Sequence, residues 1–284
     1  MNSTQPVSIV ITTYNRSDAL LAVLDGLAHQ TDRHFDVVVA DDGSREEHRM
    51  AIRQSTTAQR LRVTHVWHPD VGFTASKVRN RGVAACNASY IIFLDGDCVP
   101  EVDFVAQHKR LAQPGCFVNG SRVLLSPRLS ERVVSGAEQV FGHGIGYWLS
   151  KRLVGDASKF IHLMRLPDWS MRLKKDFSWK GIRSCNLGVW RSDFEFVDGF
   201  DETFVGWGHE DADFVLRLHH AGLVRKNGFC ATEVFHLSHK EATRDCEWDN
   251  ARLVQLRQTG MVVQAAAGYA QVRPHDDVEV IRLG

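Results

Sequence analysis

The chain has 284 residues, 44% of them hydrophobic, and its 34 basic side chains are balanced by 34 acidic ones. This length buries one large core, or one core with a small annex, and the balance excludes a bulk electrostatic pull toward nucleic acid or an anionic membrane. Six widely spaced cysteines with no C-x-x-C pair exclude a zinc knuckle and a disulfide scaffold, and read as reduced buried thiols.

The start of the chain lacks the basic and then apolar pattern of a leader, and no apolar run reaches the roughly 18 residues that span a bilayer. The expected location is therefore cytoplasmic, with peripheral contact at the inner face of a membrane left open. The β-branched run from Val7 to Thr13 predicts a strand, and the apolar spacing of Leu20, Leu21, Val23, Leu24 and Leu27 predicts a helix after Ser17 or Asp18. A second strand, Phe35 to Ala40, ends in Asp41-Asp42-Gly43-Ser44. A third, Leu61 to Trp67, leads through a loop into a helix from about Thr74 to Cys86 that carries Lys77, Arg79 and Arg81. The apolar stretch Ile91 to Leu94 then ends in Asp95-Gly96-Asp97. Repeated strand–helix alternation implies an α/β fold with a mostly parallel sheet flanked by helices and right-handed crossovers. Every polar cluster so far falls at a strand's carboxyl end, where ligands of open α/β sheets bind.

Carboxylates at 95 and 97 around a glycine can converge on a hard divalent cation. Neither a G-x-G-x-x-G nor a G-x-x-x-x-G-K-[ST] pattern is present, so a metal–carboxylate device is what remains for a phosphate end. Beyond residue 113 the alternation stops. A strand is expected over 119–125 and a helix from Ser130 to Phe141, before the glycines 142, 144 and 146 loosen the chain. Between Lys151 and Arg183 stand nine Lys or Arg against three Asp, with Trp169 and Trp179 among them, which suggests either a solvated helical face or a basic lid over 142–183. Next come an expected strand over 185–190, the segment Gly206-Trp207-Gly208-His209-Glu210-Asp211-Ala212-Asp213, and a helix from about Asp213 to Ala221. Acids there can cap the helix, but three exceed that need. Val234 to Leu237 reads as a strand carrying His236, with His239 three residues on, and sequence does not rank the two histidines as metal ligands. The tail reads as one or two helices from about Glu241 to Ala267 and a short strand over 278–283.

These motifs, in this order, resemble nucleotide-sugar glycosyltransferases of the GT-A fold, family 2 type, with a galactosyltransferase-like carboxyl-terminal half. The resemblance runs over about residues 6 to 240, and Gly-Trp-Gly-x-Glu-Asp is its most specific part. It implies a glycosyltransferase domain over 1–240, divided into a nucleotide-binding half (1–112) and an acceptor and catalytic half (113–240), and a C-terminal helical extension over 241–284. It also implies that Thr12 and Asp42 hold the uracil or ribose and that Lys77 and Arg79 lie near the phosphates. Asp97, supported by Asp95 and joined by His236, would ligate Mn2+ or Mg2+. Asn186 would lie near the donor and Trp207 beside the sugar, while Glu210 would position hydroxyls and Asp211 act as the base. The implied reaction is a metal-dependent, inverting transfer of a hexose or N-acetylhexosamine from a UDP-sugar to a glycan or lipid-linked saccharide. A nucleotidyltransferase and a non-catalytic nucleotide-sugar-binding protein are the alternatives. The sequence is silent on oligomeric state.

Overall fold

The computed structural model describes residues 6–161, 164–178, 181–240, 245–272 and 277–284. In chain order the first half holds β1 (Val7–Thr13), α1 (Ser17–Ala28), β2 (Phe35–Asp41), α2 (Glu46–Gln54), α3 (Thr56–Arg60), β3 (Thr64–Trp67), α4 (Ala75–Ala84), β4 (Tyr90–Asp95), β5 (Cys98–Pro100) and α5 (Phe104–Leu111). The second half holds β6 (Cys116–Asn119), β7 (Ser121–Leu124), α6 (Pro127–Val134), α7 (Ile145–Leu153), β8 (Leu173–Lys174), β9 (Asn186–Trp190), α8 (Arg191–Phe196), α9 (Glu210–His220), β10 (Val224–Asn227), β11 (Glu233–His236), α10 (Glu247–Thr259) and β12 (Glu279–Arg282).

Nine strands form one sheet in the order β12-β3-β2-β1-β4-β9-β6-β10-β8. The amino-terminal strands β3, β2, β1 and β4 are mutually parallel, as the alternation requires, and β9 then runs antiparallel to both β4 and β6. A second sheet, β5-β11-β7, stands beside it. The runs in β1, β2 and β4 are buried on both faces. One layer of core packs α1 and the small sheet against Ile9, Ile11 and Ile92, and the other packs α4, α8 and α9 against Val10, Phe93 and Phe200. Removing this much apolar surface from water is the main stabilising term.

Several expected boundaries move. The third strand starts at Thr64 rather than Leu61, because the Leu61 N–H closes the end of α3 on the Thr57 carbonyl. Helices α2 and α3 were not anticipated; among their residues only Ile52 and Ala58 are buried, so they carry almost no apolar stripe. The strand expected over 119–125 is two strands in two sheets. The chain bends at Gly120, where a Cβ would lie 2.0 Å from the Asn186 side chain. The helix expected over 130–141 is α6, which starts at its Ser126 cap and ends at Val134. Past the glycines, residues 145–153 are helical, with Trp148 stacked 4.5 Å from Phe235. In the tail α10 is helical and β12 joins the main sheet beside β3, while residues 241–244 of the expected helix lie outside the described ones. All six cysteines are free thiols, as expected.

Candidate active site

The site forms where β1, β2 and β4 end and the first turn of α9 faces them. The turn after β4 is drawn onto β1, for the Gly96 N–H donates to the Thr12 carbonyl at 2.8 Å, and a Cβ at Gly96 would sit 2.8 Å from that same oxygen. Only glycine permits this approach. The turn sends its two carboxylates to different partners. Asp95 Oδ1 accepts from Thr12 Oγ1 at 2.9 Å and from Arg79 Nη2 at 3.3 Å. Asp97 Oδ2 meets His239 Nε2 at 3.1 Å and His236 Nε2 at 3.7 Å, and the two rings are 5.2 Å apart.

This separation decides what each group can do. Asp97, Cys98 and His236 bring their ligand atoms within 4.8 Å of one another, a group that does not include Asp95. Burial and the neighbouring Cys185 push the Cys98 thiol well up, so it stays protonated and is a poor ligand. A carboxylate oxygen with an imidazole nitrogen remains, a donor set that suits Mn2+ better than the all-oxygen Mg2+. Burial works against ionisation of Asp97, but the hydrogen bond from His239 holds its carboxyl low. That hydrogen bond lifts His239 to about 8, while burial lowers His236 and keeps it neutral.

Across the crevice the backbone turns sharply before α9. Gly206, Gly208 and His209 all have positive φ (75°, 109° and 69°), and a Cβ at Gly206 would reach Cys246 Sγ at 2.9 Å. The turn holds Trp207 partly buried and starts α9 at Glu210, earlier than the expected Asp213. Arg79, buried on α4, bridges the two sides: Nη1 donates to Glu210 Oε1 at 3.1 Å while Nη2 faces Asp95. Burial opposes its charge, but Asp95 and Glu210 raise its pKa overall. Asp211 accepts from the Ala212 N–H at 2.7 Å and the Ser184 N–H at 3.3 Å. Burial and the adjacent Glu210 push Asp211 up to about 7. A carboxylate with that proton affinity is matched to taking a proton near neutral pH.

Several of the expected site residues have partners within the protein. The Arg79 guanidinium is taken up by two carboxylates, Asp95 and Glu210. The Thr12 hydroxyl donates to Asp95. Asp95 itself stands outside the metal-competent group. Asn186 is 1% exposed, and its amide is bonded to His108 Nε2 at 3.0 Å and to the carbonyls of Ser121 and Thr232. Asp42 remains at its strand end, held by the Thr74 N–H at 2.9 Å and by His68 Nε2 at 3.2 Å; His68 had no assigned role in sequence, although its place just after β3 was the available signal. Lys77, half-buried on α4, has no ion pair among the described residues. In the basic segment Lys151 pairs with Glu138, Lys159 with Glu233 and Arg165 with Asp103, and Arg172 caps four backbone carbonyls. These contacts tie it to the body. Trp179 and Lys180 of that segment lie outside the described residues.

Comparison with known proteins agrees with this fold. Residues 8–128 match the family described as Glycosyl transferase family 2, and residues 169–240 match the one described as N-terminal domain of galactosyltransferase. The chain is similar to Validoxylamine A glucosyltransferase of Streptomyces hygroscopicus subsp. jinggangensis, 33% identical over 227 residues that cover 76% of this chain and 52% of that protein. It is also similar to Chondroitin synthase of Escherichia coli, 27% identical over 235 residues, which cover 76% of this chain and 32% of that protein. The chain thus spans about half the length, or less, of these curated relatives. The solved mannosyltransferase PcManGT from Pyrobaculum calidifontis, in complex with GDP-Man and Mn2+, shares the fold with a TM-score of 0.53 at 16% identity, covering 89% of this chain and 61% of that one. The fold is GT-A, as the sequence led us to expect, and the matched families set the nucleotidyltransferase alternative aside. No helix among the described residues is long and apolar enough to cross a membrane.

Proposed function

We propose that this chain, which carries a glycosyltransferase family 2 domain on a GT-A fold, moves a hexose or N-acetylhexosamine from a UDP-sugar to a hydroxyl of a glycan or lipid-linked saccharide, with inversion. The observation that carries the reading is the Arg79 bridge. It ties Asp95, two residues before Asp97, to Glu210 in the first turn of α9, beside the proton-hungry Asp211. The glucosyl group in one relative's name and the Mn2+ in a structural neighbour's title support a hexose donor and a divalent metal.

Asp97 and His236 would hold the metal, which supplies charge neutralisation at a departing diphosphate. His236 is the better ligand of the two histidines because burial keeps its imidazole neutral. His239, protonated at neutral pH, holds Asp97 from the other side. Asp42 stands at the end of β2 where a ribose or base edge can be bonded, and Lys77 on α4 is a cation left for phosphate. Trp207 offers an aromatic face to a sugar ring. Asp211 accepts the proton from the attacking hydroxyl as that oxygen forms its bond to the anomeric carbon, and Arg79 keeps Glu210 beside it. A single displacement of this kind inverts the centre. The test is nucleotide release from a panel of UDP-sugars with Mn2+, with and without chelator, together with UDP affinity of Asp97→Ala. Chelation should abolish release, and the Asp97→Ala protein should bind UDP no better with Mn2+ than without. Full activity in excess chelator refutes the metal role, and a protein that binds UDP-sugars but never releases UDP is a binder only.

A further inference from the structure

Next to Ser184, whose N–H bonds Asp211, lies a cavity of about 410 Å³ that has been given no role so far. This volume is in the range of roughly 300–1,000 Å³ typical of small-ligand sites. Its floor is where β6, β7 and β10 converge. Cys185 forms one wall, next to Ser184, whose N–H bonds Asp211. Arg122 forms another, on the strand that pairs with the one carrying His236. The cavity therefore adjoins both the base and the metal-competent group. A second cavity of about 750 Å³ shares Arg225 and Asn227 with it and continues the groove outward past Lys174 and Lys175.

The lining is unlike the rest of the surface in three ways. Arg122 and Arg183 face the cavity, and among the described residues neither has a carboxylate within ion-pairing distance. The nearby Glu233 does not answer them, because its carboxylate is buried and held by Lys159 Nζ at 3.0 Å and the Cys230 N–H at 2.9 Å. In the outer part Asp176 is the one acid lining the groove against Lys174, Lys175 and Arg225. Second, Asn119 lines the cavity, is 3% exposed, and leaves its Oδ1 with no hydrogen-bond partner among the described residues. A buried acceptor without a partner costs about 1–3 kcal/mol unless something reaches it, and a sugar hydroxyl is a fitting donor. Third, Phe229 supplies an aromatic wall against which the apolar face of a pyranose can pack.

We propose that this cavity is the acceptor subsite and that it takes a saccharide bearing an oxyanion, a carboxylate or a phosphate, with Arg122 and Arg183 as the cations that meet the charge. The proposal rests on the glycosyltransferase reading for its name as an acceptor site, but the binding it asserts can be measured without turnover. Three oligosaccharides serve as probes in titration calorimetry without donor: one bearing uronic acids, its carboxyl-reduced neutral counterpart, and one bearing phosphate. At least one anionic probe should bind about tenfold or more tightly than the neutral one, and the preference should shrink as salt rises. Which anionic probe wins identifies the source of the charge. In Arg122→Gln and Arg183→Gln, each checked for folding by circular dichroism, the ratio of anionic to neutral affinity should fall toward one. Arg183 is exposed, so its variant gives a folded reporter even if the Arg122 variant fails. Equal binding of the neutral probe, no binding of any probe, or a preference that survives both substitutions overturns the proposal. Loss of UDP affinity alone in Arg122→Gln also overturns it, by assigning that arginine to the donor. Failure of the glycosyltransferase reading shows separately, as absence of UDP release from the donor panel by the unsubstituted protein.

Discussion

Adjacent acids do different work here because their neighbours differ. Glu210 is held by the Arg79 guanidinium at 3.1 Å, whereas Asp211 is hydrogen-bonded by backbone N–H groups, and burial with the charge of Glu210 outweighs the more modest pull of Arg79 on it. If Asp211 merely capped α9, Asp211→Asn would keep an acceptor of nearly the same size and cost a few tenths of a kcal/mol, roughly. As a base it loses its function, for an amide takes no proton, and kcat should fall by about 10² to 10⁴ with UDP affinity near that of the parent. Glu210→Gln is the comparison; if it loses activity while Asp211→Asn keeps it, the two roles are exchanged. The pH profile follows from the same residue. With its pKa pushed up to about 7, Asp211 is a carboxylate only above that value. Turnover should therefore fall as pH drops through about 7, and Asp211→Asn should abolish that limb of the kcat profile.

Elements were legible in the sequence where burial imposes a period. The runs of β1, β2 and β4 and the stripe of α1 stand out because each is covered on a continuous face. Helices α2 and α3 were not legible, since a polar surface helix lacks that signal. The division of residues 116–124 into β6 and β7 was hidden for another reason: it depends on Asn186, distant in sequence, whose amide occupies the space beside Gly120. The site divides along the same line. That acids gather at strand ends and at the start of α9 could be read from their positions, but that Arg79 turns inward to join Asp95 and Glu210 is a tertiary fact. Asn186 gives the sharpest test of position against contact. Removing its side chain strands His108, held neutral by burial that lowers it to about 4, and the carbonyls of Ser121 and Thr232. Asn186→Ala should lose about 2–5 kcal/mol in urea unfolding by this count. A residue that merely touched the donor would change UDP-sugar affinity and leave the midpoint in place.

At the scale of the whole molecule, the tail is held to the catalytic body by charge as well as by packing. Arg257 of α10 donates to Asp213 at 2.7 Å and pairs with Asp201 at 2.8 Å, and Asp213 also accepts from Arg217 at 2.8 Å. All four groups are buried, two of each sign. Asp213 lies in the first turn of α9, three residues beyond Glu210, so this cluster fixes the helix that carries the proposed base. Arg257→Leu leaves buried Asp201 without a cationic partner among the described residues and Asp213 with Arg217 alone, a loss of about 3–5 kcal/mol for a broken buried pair. Burial works against the ionisation of Asp201, but bonds from Thr203 and the Ala266 N–H, with the charge of Arg257, lower its pKa overall. A depressed acid contributes stability above its unfolded value of 3.8 and loses it as pH falls through the lower folded value, so the intact cluster resists acid to below about pH 4. Without Arg257 that pKa rises, and acid unfolding followed by tryptophan fluorescence should begin at a higher pH. An unchanged acid midpoint in Arg257→Leu would mean that apolar packing of α10 against α9, through Val254 and Leu216, holds the tail without help from the ions.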